Sequence, residues 1–430
     1  MNPSQGGYRR IALGLLLLAA AAPWRYYGSF PLVASLSVLD AAVALAALVL
    51  LARMAMLGDV DVGDPWAAVL VAVLPVLCVT SLLWTTQPTA TVVETVSYAE
   101  CLIAYVFAVS QTRGLPAWRI IRMLQRFLYA LLIPPLLMLM HVPGFAPQEP
   151  GLSPRDGNYL GYFSRLSHPF LGRSNTLATI LLLLCVVLVH WAWTHRDIKT
   201  DVAALLCVAG IVLTISRGAI LALLAAALFA LLAPVRPRRS RERRPLVLAI
   251  VAGVVLAALA TSYYLLNPTT REFFGGRLSD SNVALRQVRF SAGLDQLVLR
   301  PFLGYGAGTV PGGDTEIDGG VHNTYLQQLL AYGVVLGFLG VLSLLALAVH
   351  FLRRQATGVR RAVGLTLVAL LVDFAVESSF EGASLRVIIY LLLGMLVGLV
   401  RADEAEAEAP SPAEHLAGRW SIPTDRQPIA

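Results

Sequence analysis

The run 174-SNTLATILLLLCVVLVHWAWT-194 contains no Asp, Glu, Lys or Arg. As a helix rising 1.5 Å per residue it crosses the ~30 Å hydrocarbon layer of a bilayer. It is not alone. Similar apolar runs lie near 9–24, 31–52, 65–84, 91–110, 120–141, 199–216, 217–234, 245–266, 323–352, 361–379 and 385–400. The predicted fold is therefore an all-α polytopic integral membrane protein with about twelve transmembrane helices.

Composition agrees. Of 430 residues, 57% are hydrophobic and 14% charged, with mean hydropathy +0.70. A soluble domain carries roughly 25% charged residues. Cys78, Cys101, Cys185 and Cys207 all fall inside apolar runs without CxxC spacing, and read as small buried hydrophobes rather than disulfides or metal ligands. Lys199 is the only lysine; the other basic residues are arginines, whose planar fork suits phosphate oxygens. Nothing in the pattern asks for a cofactor or a nucleic acid. The start, Tyr8-Arg9-Arg10 then apolar to Ala22, resembles a signal peptide. Pro23-Trp24-Arg25 is no small-residue cleavage site, so the run is read as a retained span.

Charge sets orientation. With both termini in the cytoplasm, the inner segments hold Arg9, Arg10, Arg53, Arg113, Arg119, Arg122, Arg196, Lys199, Arg236 to Arg244, and Arg353 to Arg361. Short outer loops such as 84–90 have no basic residue, as the positive-inside rule requires. The organisation predicted is transmembrane helices 1–9 over 1–266, interrupted by an outer loop at about 142–173. A large outer loop at 267–322, helices 10–12 over 323–400 and a disordered cytoplasmic tail at 401–430 follow. Long loops of this kind are usually functional or disordered.

The second outer loop is the richest in chemistry. Over 283–300, Phe290, Leu294, Leu297 and Val298 form an apolar stripe at helical spacing. Arg286, Arg289, Gly293, Gln296 and Arg300 fall on the other side. An amphipathic helix at the membrane surface is implied, its arginines meeting either lipid headgroups or a bound anion. Pro301 then breaks the helix, and Gly304, Gly306 and Gly308 alternate. With no strand before them they read as a tight turn, not a nucleotide fingerprint. Asp314, Glu316 and Asp318 mimic the opening of a calcium loop, but Tyr325 stands where its bidentate Glu belongs, which excludes an EF-hand. His322 opens the next span. A His at a helix start is held toward its neutral form by the dipole, and neutral imidazole can take a proton from a hydroxyl. A capping or interfacial role is the alternative. Asp40, Glu94, Glu100, Asp373 and Glu377 are acids at membrane depth, each costly enough to need a role. Glu377 and Glu381 are placed to pair with an arginine or orient His322, or to pair between helices.

Several stretches together resemble the O-antigen ligase and O-antigen polymerase superfamily of bacterial envelope glycosyltransferases. Thr214-Ile215-Ser216-Arg217-Gly218-Ala219 is similar to the family's Ser-Arg-Gly element. Arg286 through Phe290, with Pro301-Phe-Leu-Gly304-Tyr-Gly306, is similar to its Arg-x-x-x-Trp and Pro-Leu-x-Gly-x-Gly. Phe290 stands where the family often has Trp. His322-Asn323-Thr-Tyr-Leu326 is similar to its His-Asn-x-x-Leu. A weaker likeness runs from Pro169 to Ala178. The matches fall in family order.

The resemblance implies a periplasmic site in the bacterial inner membrane and a donor glycan on undecaprenyl pyrophosphate. It carries the catalytic roles to Arg217, Arg286 and His322. Arg217 and Arg286 would stabilise the departing pyrophosphate, and His322 would deprotonate the acceptor hydroxyl, with inversion and without a metal. Arg289, Asn323, Arg165, Arg173 and Glu377 are the expected substrate contacts. Two acceptors fit: lipid A–core, for a ligase, and the growing glycan, for an O-antigen or exopolysaccharide polymerase. The ligase is the favoured reading. A transporter or flippase of a lipid-linked glycan is the alternative from another class.

Overall fold

The computed structural model describes residues 3–21, 25–26, 36–58, 60–139, 174–214, 216–232, 280–309, 321, 323–353, 358–376 and 382–408. Within them the chain is almost wholly helical. The helices are α1 (Pro3–Ala21), α2 (Val38–Leu57), α3 (Pro65–Thr80), α4 (Pro88–Thr112), α5 (Ala117–Leu139) and α6 (Ser174–His195). They continue as α7 (Ile198–Thr214), α8 (Arg217–Leu232), α9 (Asp280–Leu299), α10 (Thr324–Leu352), α11 (Gly358–Val376) and α12 (Ala383–Glu408). A two-residue antiparallel ladder pairs Arg25 with Ser37 and Tyr26 with Leu36.

Among the described residues seven helices, α2 to α6, α10 and α12, are long and apolar enough to cross a membrane. The apolar stretches of α1 and α8 are shorter, and α11 carries Arg360, Arg361 and Asp373. The run expected at 245–266, the first long loop at 142–173 and, in the second, residues 267–279, 310–320 and 322 lie outside the described residues.

Local chemistry starts the helices where they start. Ser37 and Asp40 form a reciprocal capping box on α2, with Asp40 N–H donating to Ser37 Oγ at 3.1 Å and Ser37 N–H to Asp40 Oδ2 at 2.6 Å. That gives the intramembrane acid Asp40 a local role. Asp64 caps α3 by accepting from Trp66 and Ala67 N–H, with Pro65 in the first turn.

At the centre is α12, buried on nearly every side and packed on α4. Gly394 and Gly398 make this approach possible. A Cβ at Gly394 would stand 2.5 Å from the Tyr105 carbonyl oxygen, and one at Gly398 would stand 2.0 Å from Thr112 Oγ1. Small residues one turn apart are how membrane helices bring their backbones together. All four cysteines are free and buried, as their apolar surroundings led us to expect.

Two polar belts mark the ends of the bundle. At one, Arg401 Nη1 grips both oxygens of Asp61 at 2.8 and 2.9 Å, and Arg113 Nε stands 3.5 Å from the same carboxylate. Burial raises the Asp61 carboxyl, but the Gly63 N–H and the two arginines outweigh it and hold it below the usual range. Here also His350 meets Asp64 at 2.8 Å, Arg360 meets Glu404 at 2.8 Å, and Glu406 accepts the Ala117 N–H at 2.8 Å. These contacts carry α12 as a helix to Glu408, past residue 400, where a disordered tail was expected; residues 409–430 lie outside the described set.

The other end is closed by a strap. α10 is broken at Gly333, whose φ of 76° and ψ of 175° are not helical. The break is sharp: a Cβ at Gly337 would lie 2.6 Å from the Gln328 carbonyl oxygen, although along an unbroken helix these residues stand about 13.5 Å apart. Segment 301–309 fills the gap. Tyr305 and Gly306 N–H donate to the Leu330 and Ala331 carbonyls at 2.9 Å each, and Val334 N–H donates to the Pro301 carbonyl at 2.6 Å. The far side of the strap rests on the turn between α3 and α4. Thr86 N–H donates to the Tyr305 carbonyl at 3.0 Å, and Thr91 Oγ1 to the Ala307 carbonyl at 2.7 Å. The three alternating glycines thus form a tight turn as read from sequence, with Gly304 and Gly306 buried. Gly304 has φ 66°, and a Cβ there would meet the Leu330 carbonyl oxygen at 2.4 Å.

Just inside this end a buried ion pair joins α12 to α4. Arg386, 3% exposed, forks onto the Glu94 carboxylate, with Nη2 at 2.6 Å from Oε2 and 3.1 Å from Ser97 Oγ. Its guanidinium also lies 4.9 Å from the centre of the Tyr98 ring.

Two outcomes follow for stability. Gly304→Ala should cost about 2 kcal/mol or more, from backbone strain and the close approach to α10; melting in detergent indistinguishable from wild type would remove the strap from the account. Arg386→Met leaves the half-buried Glu94 carboxylate unpaired and should cost roughly 1–3 kcal/mol, while Arg386→Met with Glu94→Leu recovers most of it. Equal melting temperatures for the single and double variants would mean that the pair contributes nothing.

Candidate active site

The end of α11 gathers the predicted residues. α8 and α11 pack antiparallel, since Arg361 Nη2, near the start of α11, donates to the Ala230 carbonyl near the end of α8 at 3.1 Å. Arg217, at the start of α8, therefore lies at the same end of the bundle as Val376. The Ser-Arg-Gly element has a local reason. Ser216 is buried and its Oγ accepts from Ala219 N–H at 3.4 Å, capping α8. Gly218 is buried as well, and Arg217 between them is exposed.

Arg286 comes to this end on α9, where its Nη1 donates to the Val376 carbonyl at 3.5 Å. The last carbonyls of a helix lack intrahelical partners and carry partial negative charge, so a guanidinium is favoured there. Arg289 sits one turn further along α9, half-buried.

α9 is held by its small face. A Cβ at Gly293 would stand 2.8 Å from Val321 Cγ1 and 3.0 Å from Leu326 Cδ2. Val321, Leu326 and Leu330 form a separate apolar cluster with Ala292, Leu297 and Tyr305 around it. Arg286, Arg289, Gly293 and Gln296 of the face expected to be polar thus turn toward the protein together with Leu297, whereas Phe290, Leu294 and Val298 of the apolar stripe and Arg300 are exposed. That arrangement suits a helix lying with its apolar side in lipid.

Asn323 makes two ties. Its Oδ1 accepts from Leu326 N–H at 2.9 Å, capping α10, and its Nδ2 donates to the Ala375 carbonyl at 2.8 Å. Tyr325 hydroxyl donates to the Leu371 carbonyl one turn below. On the opposite side of α11, Thr179 Oγ1 donates to Asp373 Oδ2 at 2.6 Å, which fixes the start of α6 at this end too. Asp373 is 1% exposed.

Arg286 and Asn323 thus meet the last turn of α11, and Arg217 and Arg289 lie toward the same end. His322, Arg165, Arg173, Glu377 and Glu381 lie outside the described residues, as do Asp314, Glu316 and Asp318. The neighbours of His322 on either side, Val321 and Asn323, are packed against α9 and α11 respectively. Among the described residues no three His, Cys, Asp or Glu side chains stand together as metal ligands would.

Two features escaped the sequence reading. Asp373 had no assigned role, and Arg386 was not singled out. The signal for both was present as an ionisable residue inside an apolar run, but sequence spacing does not say which helix supplies the partner.

The arrangement offers guanidinium groups from two separate helices at one end of the bundle, beside the segment that bears His322. The family model described as O-antigen ligase matches residues 202–341. That stretch contains α8, α9, the strap and the broken first half of α10. No curated protein matches the chain. Residues 202–341 of this membrane protein are thus similar to the O-antigen ligase family, the family its motifs resemble.

Proposed function

We propose that the chain is a glycosyltransferase of the O-antigen ligase type, moving a polysaccharide from undecaprenyl pyrophosphate to lipid A–core at the periplasmic face of the inner membrane. The observation that carries this reading is that Arg286 and Asn323 meet the last turn of α11, at the end of the bundle where α8 begins with Arg217. A lipid-linked diphosphate arriving from the bilayer would meet cations at the membrane surface. The opposite end holds Arg113, Arg353, Arg360 and Arg401. This supports cytoplasmic termini and an outward-facing site, by the positive-inside rule. About twelve spans remain the proposed count.

The bond broken joins the anomeric carbon to the pyrophosphate oxygen, and its electron pair leaves with undecaprenyl pyrophosphate. Arg217 and Arg286 would neutralise the charge gathering there, with Arg289 as a further contact. His322 would take the proton of the acceptor hydroxyl, whose oxygen bonds the anomeric carbon from the opposite face and inverts it. Arg165, Arg173, Asn323 and Glu377 would hold the glycan and diphosphate. Two cations can do the neutralising, so no metal is invoked.

Purified protein given the lipid-linked glycan and lipid A–core should release undecaprenyl pyrophosphate. Arg217→Ala and Arg286→Ala should each slow release at least ~10²-fold, and His322→Ala should do so by ~10²-fold or more, with membrane insertion unchanged. Arg286→Lys should recover little, because a point charge replaces a planar fork. Wild-type rates in either arginine variant would remove that residue from the chemistry, and a donor that stays intact while crossing the bilayer would replace the enzyme by a transporter. Chelation with EDTA should leave the rate unchanged; lost activity restored by a divalent cation would overturn the metal-free step and turn attention to Asp314, Glu316 and Asp318.

A further inference from the structure

At the end away from Arg217 and Arg286, α5 begins with 117-AWRIIRMLQRF-127. Its arginines Arg119, Arg122 and Arg126 recur at i, i+3 and i+7, so they follow one face over about 10.5 Å of helix. Trp118 lies beside them, with the Arg119 and Arg122 guanidinium carbons 5.0 and 4.6 Å from its ring centre. All three arginines line an opening between α1 and α5, whose other wall is Gly14, Leu17 and Leu18. Among the described residues that line it none is acidic. Among the described residues, no carboxylate forms an ion pair with these arginines, unlike Arg113, Arg360 and Arg401 at the same end. Leu18 is 59% exposed and Trp118 42%, and a Cβ at Gly14 would meet nothing within 4 Å.

We propose that this opening between α1 and α5 binds an anionic glycerophospholipid, its phosphate on Arg119, Arg122 and Arg126 and an acyl chain along Leu17 and Leu18. Three guanidinium groups without carboxylates are complementary to a headgroup phosphate. An indole at the rim matches the preference of Trp for the membrane interface. The apolar wall favours a lipid over free phosphate, which would leave the leucines and the space at Gly14 uncovered. The inference needs the chain to be membrane-embedded and does not depend on glycosyl transfer.

The test is lipid retention by the full-length protein in mild detergent, read by native mass spectrometry during titration with phosphatidylglycerol or phosphatidylcholine. Phosphatidylglycerol should bind at least about tenfold more tightly, and Arg119→Gln/Arg122→Gln/Arg126→Gln should abolish that preference. Gly14→Leu, which meets no neighbour at its Cβ and improves helix propensity, should fill the space and lower retention with the arginines intact. The proposal is overturned if the two lipids bind equally or if either variant retains phosphatidylglycerol like wild type. Displacement by millimolar inorganic phosphate would mark a free-anion site, and displacement by undecaprenyl phosphate at lower concentration than phosphatidylglycerol would mark a carrier site; either result also sinks it. Because the readout is lipid mass, failure here leaves the glycosyl-transfer reading untouched, and loss of transfer in the Arg217 or Arg286 variants leaves this one untouched.

Discussion

Inside hydrocarbon a backbone N–H or carbonyl has no water to turn to, and each must find a partner within the protein. The break at Gly333 confronts that constraint directly. Bending α10 there exposes the carbonyls of Leu330 and Ala331, and the strap returns N–H donors from Tyr305 and Gly306 to both. The glycines are needed for closeness, because Gly333 and Gly304 stand where any Cβ would overlap the facing backbone. Once the strap is seated, α9, directly before it in the chain, is set against the start of α10, with Gly293 against Val321 and Leu326. The placing of Arg286 follows from the repair of a broken helix.

The same constraint explains why the last turn of α11 is a meeting point. Its terminal carbonyls need donors, and Arg286 and Asn323 supply them from two other elements. Structure and proposed chemistry therefore overlap at Arg286. Its guanidinium ties α9 to α11 and is also a group proposed to neutralise the departing diphosphate. Arg217 is different. Exposed at the start of α8 between the buried Ser216 and Gly218, it reaches the same end without a carbonyl contact of this kind among the described residues.

Much of this was legible in the chain. The apolar runs announced a helical membrane protein, and the motif order is the ground on which Arg217, Arg286 and His322 are proposed as the site. The amphipathic reading of 283–300 identified the two faces of α9. It did not reveal that the arginine and glycine face turns inward, because periodicity separates faces without saying which neighbour each one meets. Arg386 was passed over for a related reason. Its partner Glu94 lies 292 positions earlier in the chain, and no local pattern links residues so distant.

By itself the sequence determined the helical, membrane-embedded class, since length and hydropathy decide what a bilayer accepts. It also determined the capping of α2 by Ser37 and Asp40 and the turn at 301–309, because these depend on residues a few positions apart. Only the tertiary structure decided that Arg217, Arg286 and Asn323 lie toward one end of the bundle, that Glu94 and Arg386 neutralise each other, and that the strap closes the break in α10. Those facts require helices remote in sequence to pack side by side. The physical reason for the division is range: propensity and hydropathy act between chain neighbours, whereas charge pairing and carbonyl satisfaction in a low-dielectric interior act on whatever the fold brings within about 3 Å.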